Sequence, residues 1–182
     1  MQKEKALPHK KGITDMEYTI AEAMKLLKKL NEKVTSTLSM ETESMEYLAA
    51  INEDIESVRP EYDFTKTQED LRKLESDIRK LKHAINLFNA TTIIEGFDMT
   101  IDEMLIYIPQ LTARKNKLAA MKDRLPKTRE KTYQTSPIID YRYLNYSTED
   151  ATNEYEKTAD TLSKAQNALD KINLTRTIEI DL

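Results

Sequence analysis

Glycine occurs only twice in this chain of 182 residues, and proline five times. Tight turns and left-handed backbone lean on glycine, so a chain this poor in it has few places to turn sharply. Sandwiches, barrels and glycine-rich phosphate loops are thereby disfavoured. Long helices are what remains. Hydrophobic residues make up 39% and charged residues 33% of the chain, the balance of amphipathic helices that bury one stripe and solvate the rest. The length is that of one domain. Residues 1–15 are polar, carry Pro8 and Gly12, and show no apolar period, which marks a flexible leader. Residues 16–182 are expected to form a single elongated helical domain with a small β element.

Apolar spacing divides that domain into helices. Thr19 and Glu22 have the capping-box spacing and open a stripe of Ile20, Ala23, Leu27, Leu30 and Val34. The polar run 35–44 weakens it, yet Leu38, Met45, Leu48, Ile51, Ile55 and Val58 continue close to the same phase, so the pattern allows one long helix or two before Pro60. Leu71, Leu74, Ile78, Leu81, Ile85 and Phe88 form the clearest seam, with Thr67 and Asp70 as its expected cap. Thr100 and Glu103 repeat the capping spacing ahead of Ile101, Met104, Leu105, Ile108, Leu111, Leu118, Met121 and Leu125, a stripe that Pro109 should kink. Ser147 and Asp150 cap a last helix with a seam of Ala151, Tyr155, Thr158, Leu162, Ala165, Leu169 and Ile172. Three β-prone runs, 91–94, 138–144 and 175–182, are expected to build one small sheet. The fold class is therefore mainly α: long antiparallel helical hairpins with coiled-coil seams plus a small β element.

The absence of cysteine excludes disulfides, Cys-ligated zinc, iron–sulfur clusters and thiol nucleophiles together. No stretch approaches the roughly 20 apolar residues that span a bilayer, and the N-terminus lacks the apolar core of a signal peptide. A cytoplasmic protein is the expectation, with the Asn-X-Ser/Thr triplets at Asn89, Asn145 and Asn173 read as chance. Two histidines, His9 in the leader and His83 off the Leu81/Ile85 seam, offer no triad. Carboxylate pairs such as Glu53/Glu56 have the character of solvated helix faces, and the Glu-x-x-His pattern of carboxylate metal sites is missing. No cofactor and no metal are expected, and the chain is not expected to be an enzyme.

Charge is segregated despite a net value of −4. Residues 41–63 hold eight acids and one arginine, whereas residues 111–133 hold eight Lys or Arg and two acids. These strips, represented by Glu53, Asp54 and Glu56 on one side and Arg114, Lys117, Lys122 and Arg124 on the other, can pair within a chain or between chains. The basic run also suits phosphate contacts, but a pI of about 5.4 and the lack of a nucleic-acid-binding motif weigh against that use. Tyr133, Tyr141, Tyr143 and Tyr146 are expected to cover the small sheet. Asn86, Asn89 and Asn173 sit where helices are expected to end and are expected to cap them. Gathered with Thr91, Thr92 and Thr175 at one end of an assembly, they would instead line a polar ligand pocket.

Four motifs carry a resemblance. They are Thr19-Ile20-Ala21-Glu22-Ala23, Ile85-Asn86-Leu87-Phe88-Asn89-Ala90-Thr91-Thr92, Thr100-Ile101-Asp102-Glu103-Met104-Leu105, and Ile172-Asn173. Together they resemble the septicolysin-like family of small, mainly helical bacterial proteins, over roughly residues 18–182. The resemblance implies a predominantly helical fold, no established activity and no catalytic residues to carry over. The run 35–57 is longer here than the family pattern. No segment presents a membrane-sized apolar face, so the pore formation the family name suggests finds no support in the residues.

The function expected is that of a non-enzymatic, homo-oligomeric interaction protein that binds another protein. The bias toward Lys, Asn, Ile and Thr is that of an AT-rich genome, as in a Gram-positive bacterium or its phage. In a phage or mobile element such a protein would act on a host protein. The competing expectation is a protein that binds or sequesters a polar small molecule through the Asn/Thr set.

Overall fold

A computed structural model describes residues 16–130 and 139–182; the expected leader and the residues 131–138, Tyr133 among them, lie outside the described residues. In chain order the elements are β1 (Met16–Thr19), α1 (Ile20–Ser44), α2 (Ile55–Val58), α3 (Phe64–Thr91), β2 (Ile93–Ile94), β3 (Met99–Thr100), α4 (Ile101–Lys122), β4 (Lys127–Arg129), β5 (Tyr141–Tyr143), α5 (Thr148–Thr175) and β6 (Thr177–Ile180). The fold is mainly α with small antiparallel β pairs. The described residues divide into two compact units, one of residues 16–88 and 173–182 and one of residues 89–130 and 139–172. Helices α3 and α5 contribute residues to both.

In the first unit, α1 begins where the sequence says it should. The Thr19 backbone N–H donates to Glu22 Oε2 at 2.9 Å, and the Glu22 N–H donates to Thr19 Oγ1 at 3.2 Å, a closed capping box. The Thr19 N–H and the Thr19 hydroxyl, which donates to the same Glu22 oxygen at 2.8 Å, favour the charged carboxylate and hold Glu22 below the usual glutamate pKa. Helices α1 and α3 pair antiparallel: Ala23 packs near the end of α3 with Leu81 and Ile85, while Glu41 meets Gln68 near its start. The core is completed by Ile180 of β6, with Tyr18, Leu27 and Ile178 packed around it. Strand β1 pairs with β6 in the register Met16↔Ile180 to Thr19↔Thr177, and the Ile20 N–H extends the ladder to the Arg176 carbonyl. Helix α3 starts earlier than the Thr67/Asp70 spacing suggests. Asp63 is the cap, accepting from Lys66 N–H at 3.0 Å, and Thr67 is a buried residue inside the helix.

The second unit opens with a hairpin. Ile93↔Thr100 and Ile94↔Met99 pair around residues 95–98, where Gly96 takes φ +85° and Asp98 φ 50°. A left-handed turn of this kind is the place where glycine is needed. The Thr100/Glu103 capping box then starts α4, with the Glu103 N–H donating to Thr100 Oγ1 at 3.2 Å and the carboxylate held below its usual pKa by its Thr100 partners. Helix α4 runs through Pro109 and ends at Lys122, short of Leu125, which is exposed. Its buried stripe is Ile101, Met104 and Leu111, whereas Leu105, expected within it, is exposed. The end of α4 is tied to the start of α5: Tyr146 Oη donates to the Met121 carbonyl at 2.9 Å, and the Lys122 ammonium lies 4.9 Å from the Tyr155 ring centroid. Ser147 caps α5 through the Asp150 N–H at 3.2 Å, and Ala151, Thr158, Leu162 and Ala165 of the expected seam are buried.

The β element differs from the single small sheet expected. Among the described residues three separate two-stranded pairs form, β1 with β6, β2 with β3, and β4 with β5. Neither β1 nor β4 stands out in the sequence, because each takes its strand conformation from a partner elsewhere in the chain. Thr91 is the last residue of α3 and only Ile93–Ile94 are extended; likewise the strand within 138–144 is Tyr141–Tyr143.

Candidate interaction surface

The apolar pattern of α1 outlasts the helix. Thr35, Thr37 and Thr42 turn their hydroxyls back onto the carbonyls of Asn31, Lys33 and Leu38, a local competition that lowers helix propensity. Glu41 and Glu43 place negative charge in the final turns, where the helix dipole favours cations. Helix α1 stops at Ser44, with the Met45 N–H capping onto the Glu41 carbonyl at 2.9 Å. Met45, Leu48 and Ile51, expected to continue a helical stripe, lie in a connection of residues 45–54, and the one long helix that their spacing allows does not form.

This connection has internal order. The Glu53 N–H donates to the Ala50 carbonyl and Glu53 Oε2 accepts from the Ala50 N–H, both at 3.0 Å, closing a turn. Asp54 caps α2 through the Glu56 N–H, and Glu56 pairs with Arg59 at 3.3 Å. Arg59 is extended ahead of Pro60, as the residue before proline prefers. The return strand is then fastened to the end of α1. Tyr62 Oη donates to Glu41 Oε1 at 2.6 Å and Gln68 Nε2 donates to the same oxygen at 2.7 Å. That bond to a carboxylate, with some burial, pushes the Tyr62 hydroxyl up to about 12.

What projects from this anchored base is apolar. Leu48 is 96% and Ile51 102% exposed, and Met45, Ile55 and Phe64 are each more than half exposed. Isolated exposed leucines are ordinary, but a run of large apolar side chains at full exposure is the mark of a contact surface. The predicted acids Glu53, Asp54 and Glu56 flank it and also do local work: Glu53 closes the turn, Asp54 caps α2, Glu56 holds Arg59.

The basic strip lies in the second unit. Arg114 and Lys117 are exposed on α4 and Arg124 is exposed just beyond it, while Lys122 is partly occupied by Tyr155 and by Asp123 at 3.5 Å. The strip continues into the β4–β5 ribbon. There Lys127 Nζ sits 4.0 Å from the Tyr141 ring centroid and 5.3 Å from that of Tyr143, and Arg142 Nε donates to Glu130 Oε2 at 2.9 Å. That partner keeps the Glu130 carboxyl below its usual pKa. Both tyrosines are exposed, so they clasp a lysine rather than cover a sheet. Only the second strand of this ribbon falls in a β-prone run, because the first, Lys127–Arg129, has no apolar alternation.

Most of the Asn/Thr set sits at helix ends, Asn89 and Thr91 in the last turn of α3 and Asn173 and Thr175 in the last turn of α5, whereas Asn86 lies further inside α3. Thr92 leads into β2, its carbonyl accepting from the Ile101 N–H at 3.0 Å. Asn86, Asn173 and Thr175 belong to the first unit, and Asn89, Thr91 and Thr92 to the second. Grooves of about 550 and 370 Å3 in the first unit are bordered by other residues, Tyr62 and Thr67 in one and Leu30 and Asp77 in the other. His83 is exposed on α3. Among the described residues no three His, Cys, Asp or Glu side chains converge as a metal site, and no helix is long and apolar enough to cross a membrane.

No family model and no curated protein matches the chain. Among solved structures, it is similar to the crystal structure of a functionally unknown conserved protein from Corynebacterium diphtheriae, with a TM-score of 0.58 and 15% identity over 90% of this chain and 99% of that chain. At that identity the likeness is one of fold.

Proposed function

We propose that this chain is a non-enzymatic interaction protein whose working surface is the arm of residues 45–58. The observation that carries this reading is the full exposure of Leu48 and Ile51 on a segment held in place by its own turn, cap and Glu41 anchor. Exposed leucine and isoleucine side chains gain roughly 1.5–3 kcal/mol each when a partner buries them fully. An arm already ordered spares part of the entropy that a disordered segment would lose on binding. The acids around the apolar residues select a cationic partner surface.

The test is a photo-reactive amino acid placed at position 48 or 51 of the full chain, with position 157 on α5 as control. A stoichiometric protein adduct at 48 and 51, displaced by excess unmodified protein but not by its Leu48→Ser/Ile51→Ser variant, supports the reading. Adducts no more frequent than at the control position would refute it.

A further inference from the structure

We infer that the arm of one copy of this chain docks onto the basic strip of a second copy. The inference rests on the arm being a protein-contact surface, and it names the partner.

Three observations carry it. The arm and its flanks hold eight acids against one arginine over residues 41–63, and the strip holds eight Lys or Arg against two acids over residues 111–133. Two arms facing each other would repel, as would two strips; only an arm against a strip is electrostatically matched. The match extends to apolar chemistry. Leu125 is 68% exposed between Arg124 and Lys127, and the alkyl stems of Arg and Lys offer further apolar surface to Leu48 and Ile51 while their charged heads reach the arm's carboxylates. Finally, the groups needed for pairing are available. Leu48 and Ile51 are fully exposed in the chain as it stands, and Glu43, Glu46, Glu61, Arg114, Lys117 and Arg124 are all exposed. Burial of the apolar side chains would hold the copies together, and the charges would choose which surface meets which.

Charge reversal tests this on the full-length chain. One variant carries Glu43→Lys, Glu46→Lys and Glu61→Lys, which removes nearly all of the arm's net negative charge and leaves the strip nothing to pair with. The other carries Arg114→Glu, Lys117→Glu and Arg124→Glu, which cancels the strip's net positive charge and leaves the arm nothing to pair with. None of these residues holds a cap or turn, so circular dichroism should match the wild type. Sedimentation velocity should show self-association of the wild type that weakens roughly tenfold or more between low and high salt. Each variant alone should be monomeric, and an equimolar mixture should associate again. A wild type that stays monomeric at millimolar concentration, variants that self-associate undiminished, or a mixture that stays monomeric would each overturn the inference. A photo-adduct at position 48 with the mass of a different protein would sink the second copy as partner and leave the arm as contact surface; no adduct at all would sink both.

Discussion

Tyr62 donates its hydroxyl proton to Glu41 at 2.6 Å, joining two residues 21 positions apart and closing the base of the exposed arm. Gln68 reaches the same oxygen, so one carboxylate at the end of α1 gathers the returning chain and the start of α3. Tyr62 thereby ties the arm's base to α1 through a side chain as well as through the backbone. Its neutral hydroxyl is favoured by the fold, because ionising Tyr62 would set a phenolate against the Glu41 carboxylate.

The Tyr62 hydroxyl is pushed up to about 12, which gives a pH signature. A pKa raised on folding means stability that is present below the unfolded value near 10 and lost as pH rises from about 10 to 12. Ultraviolet titration of the nine tyrosines should show a late component that disappears in Tyr62→Phe and moves back toward 10 in Glu41→Gln. Hydrogen exchange over residues 45–60 should quicken in both variants. A titration unchanged by Glu41→Gln would deny the clasp.

The two capping boxes should be separable from the rest of the fold. Thr19→Ala and Thr100→Ala should each lower stability by about 1 kcal/mol in urea titrations, with Ser substitutions close to neutral. Glu22 and Glu103 both have lowered pKa values, so their contribution is present above about 4.5 and fades as pH falls through the folded value. Glu22→Gln and Glu103→Gln should therefore flatten the acid limb of the stability profile and leave the alkaline side alone.

Equal-sized apolar truncations should divide into two classes. Leu81 is fully buried against Ala23, Ile85 and Ile180, and Leu81→Ala should cost about 2–5 kcal/mol. Leu48→Ala and Ile51→Ala remove side chains that stand in solvent and should change stability by no more than about 0.5 kcal/mol. The same two changes should weaken self-association markedly. Comparable losses of stability at positions 48 and 81 would contradict the exposure of the arm.

Asn86 offers a test of helix position against cap. It is exposed inside α3, where alanine is the better helix former, so Asn86→Ala should raise stability by roughly 0.5 kcal/mol. A helix-capping asparagine would show a loss of similar or larger size. The polar-ligand reading makes its own demand: a small-molecule adduct in native mass spectrometry that Asn86→Ala, Asn89→Ala or Asn173→Ala removes without disturbing the assembly.

Local signals were legible. Thr19 with Glu22, Thr100 with Glu103, and Ser147 all act within four residues of themselves, so their caps could be placed from the chain alone. The seams of α3 and α5 were legible for a similar reason, since a 3.6-residue period is a property of neighbouring turns. The strands were only half visible. Tyr141–Tyr143 and Thr177–Ile180 have β-prone side chains, but β1 pairs with residues at the opposite end of the chain and β4 has no apolar pattern of its own. The site is legible as charge and not as shape: counting marks the acidic and basic strips, while the exposed apolar run between the acids has the spacing of more helix.

By itself, then, the sequence determined a mainly helical chain, where its capped helices begin, which stripes they bury, and how its charge is segregated. Each of these depends on spacing along the chain and on the chemistry of near neighbours. Tertiary structure alone decided that the apolar period of α1 stops being helical at Ser44, that Glu41 binds Tyr62 and Gln68, and that Leu48 and Ile51 stand in solvent. Periodicity says which side chains share a face; whether that face is covered depends on what the rest of the chain brings against it, and among the described residues Leu48 and Ile51 are left uncovered.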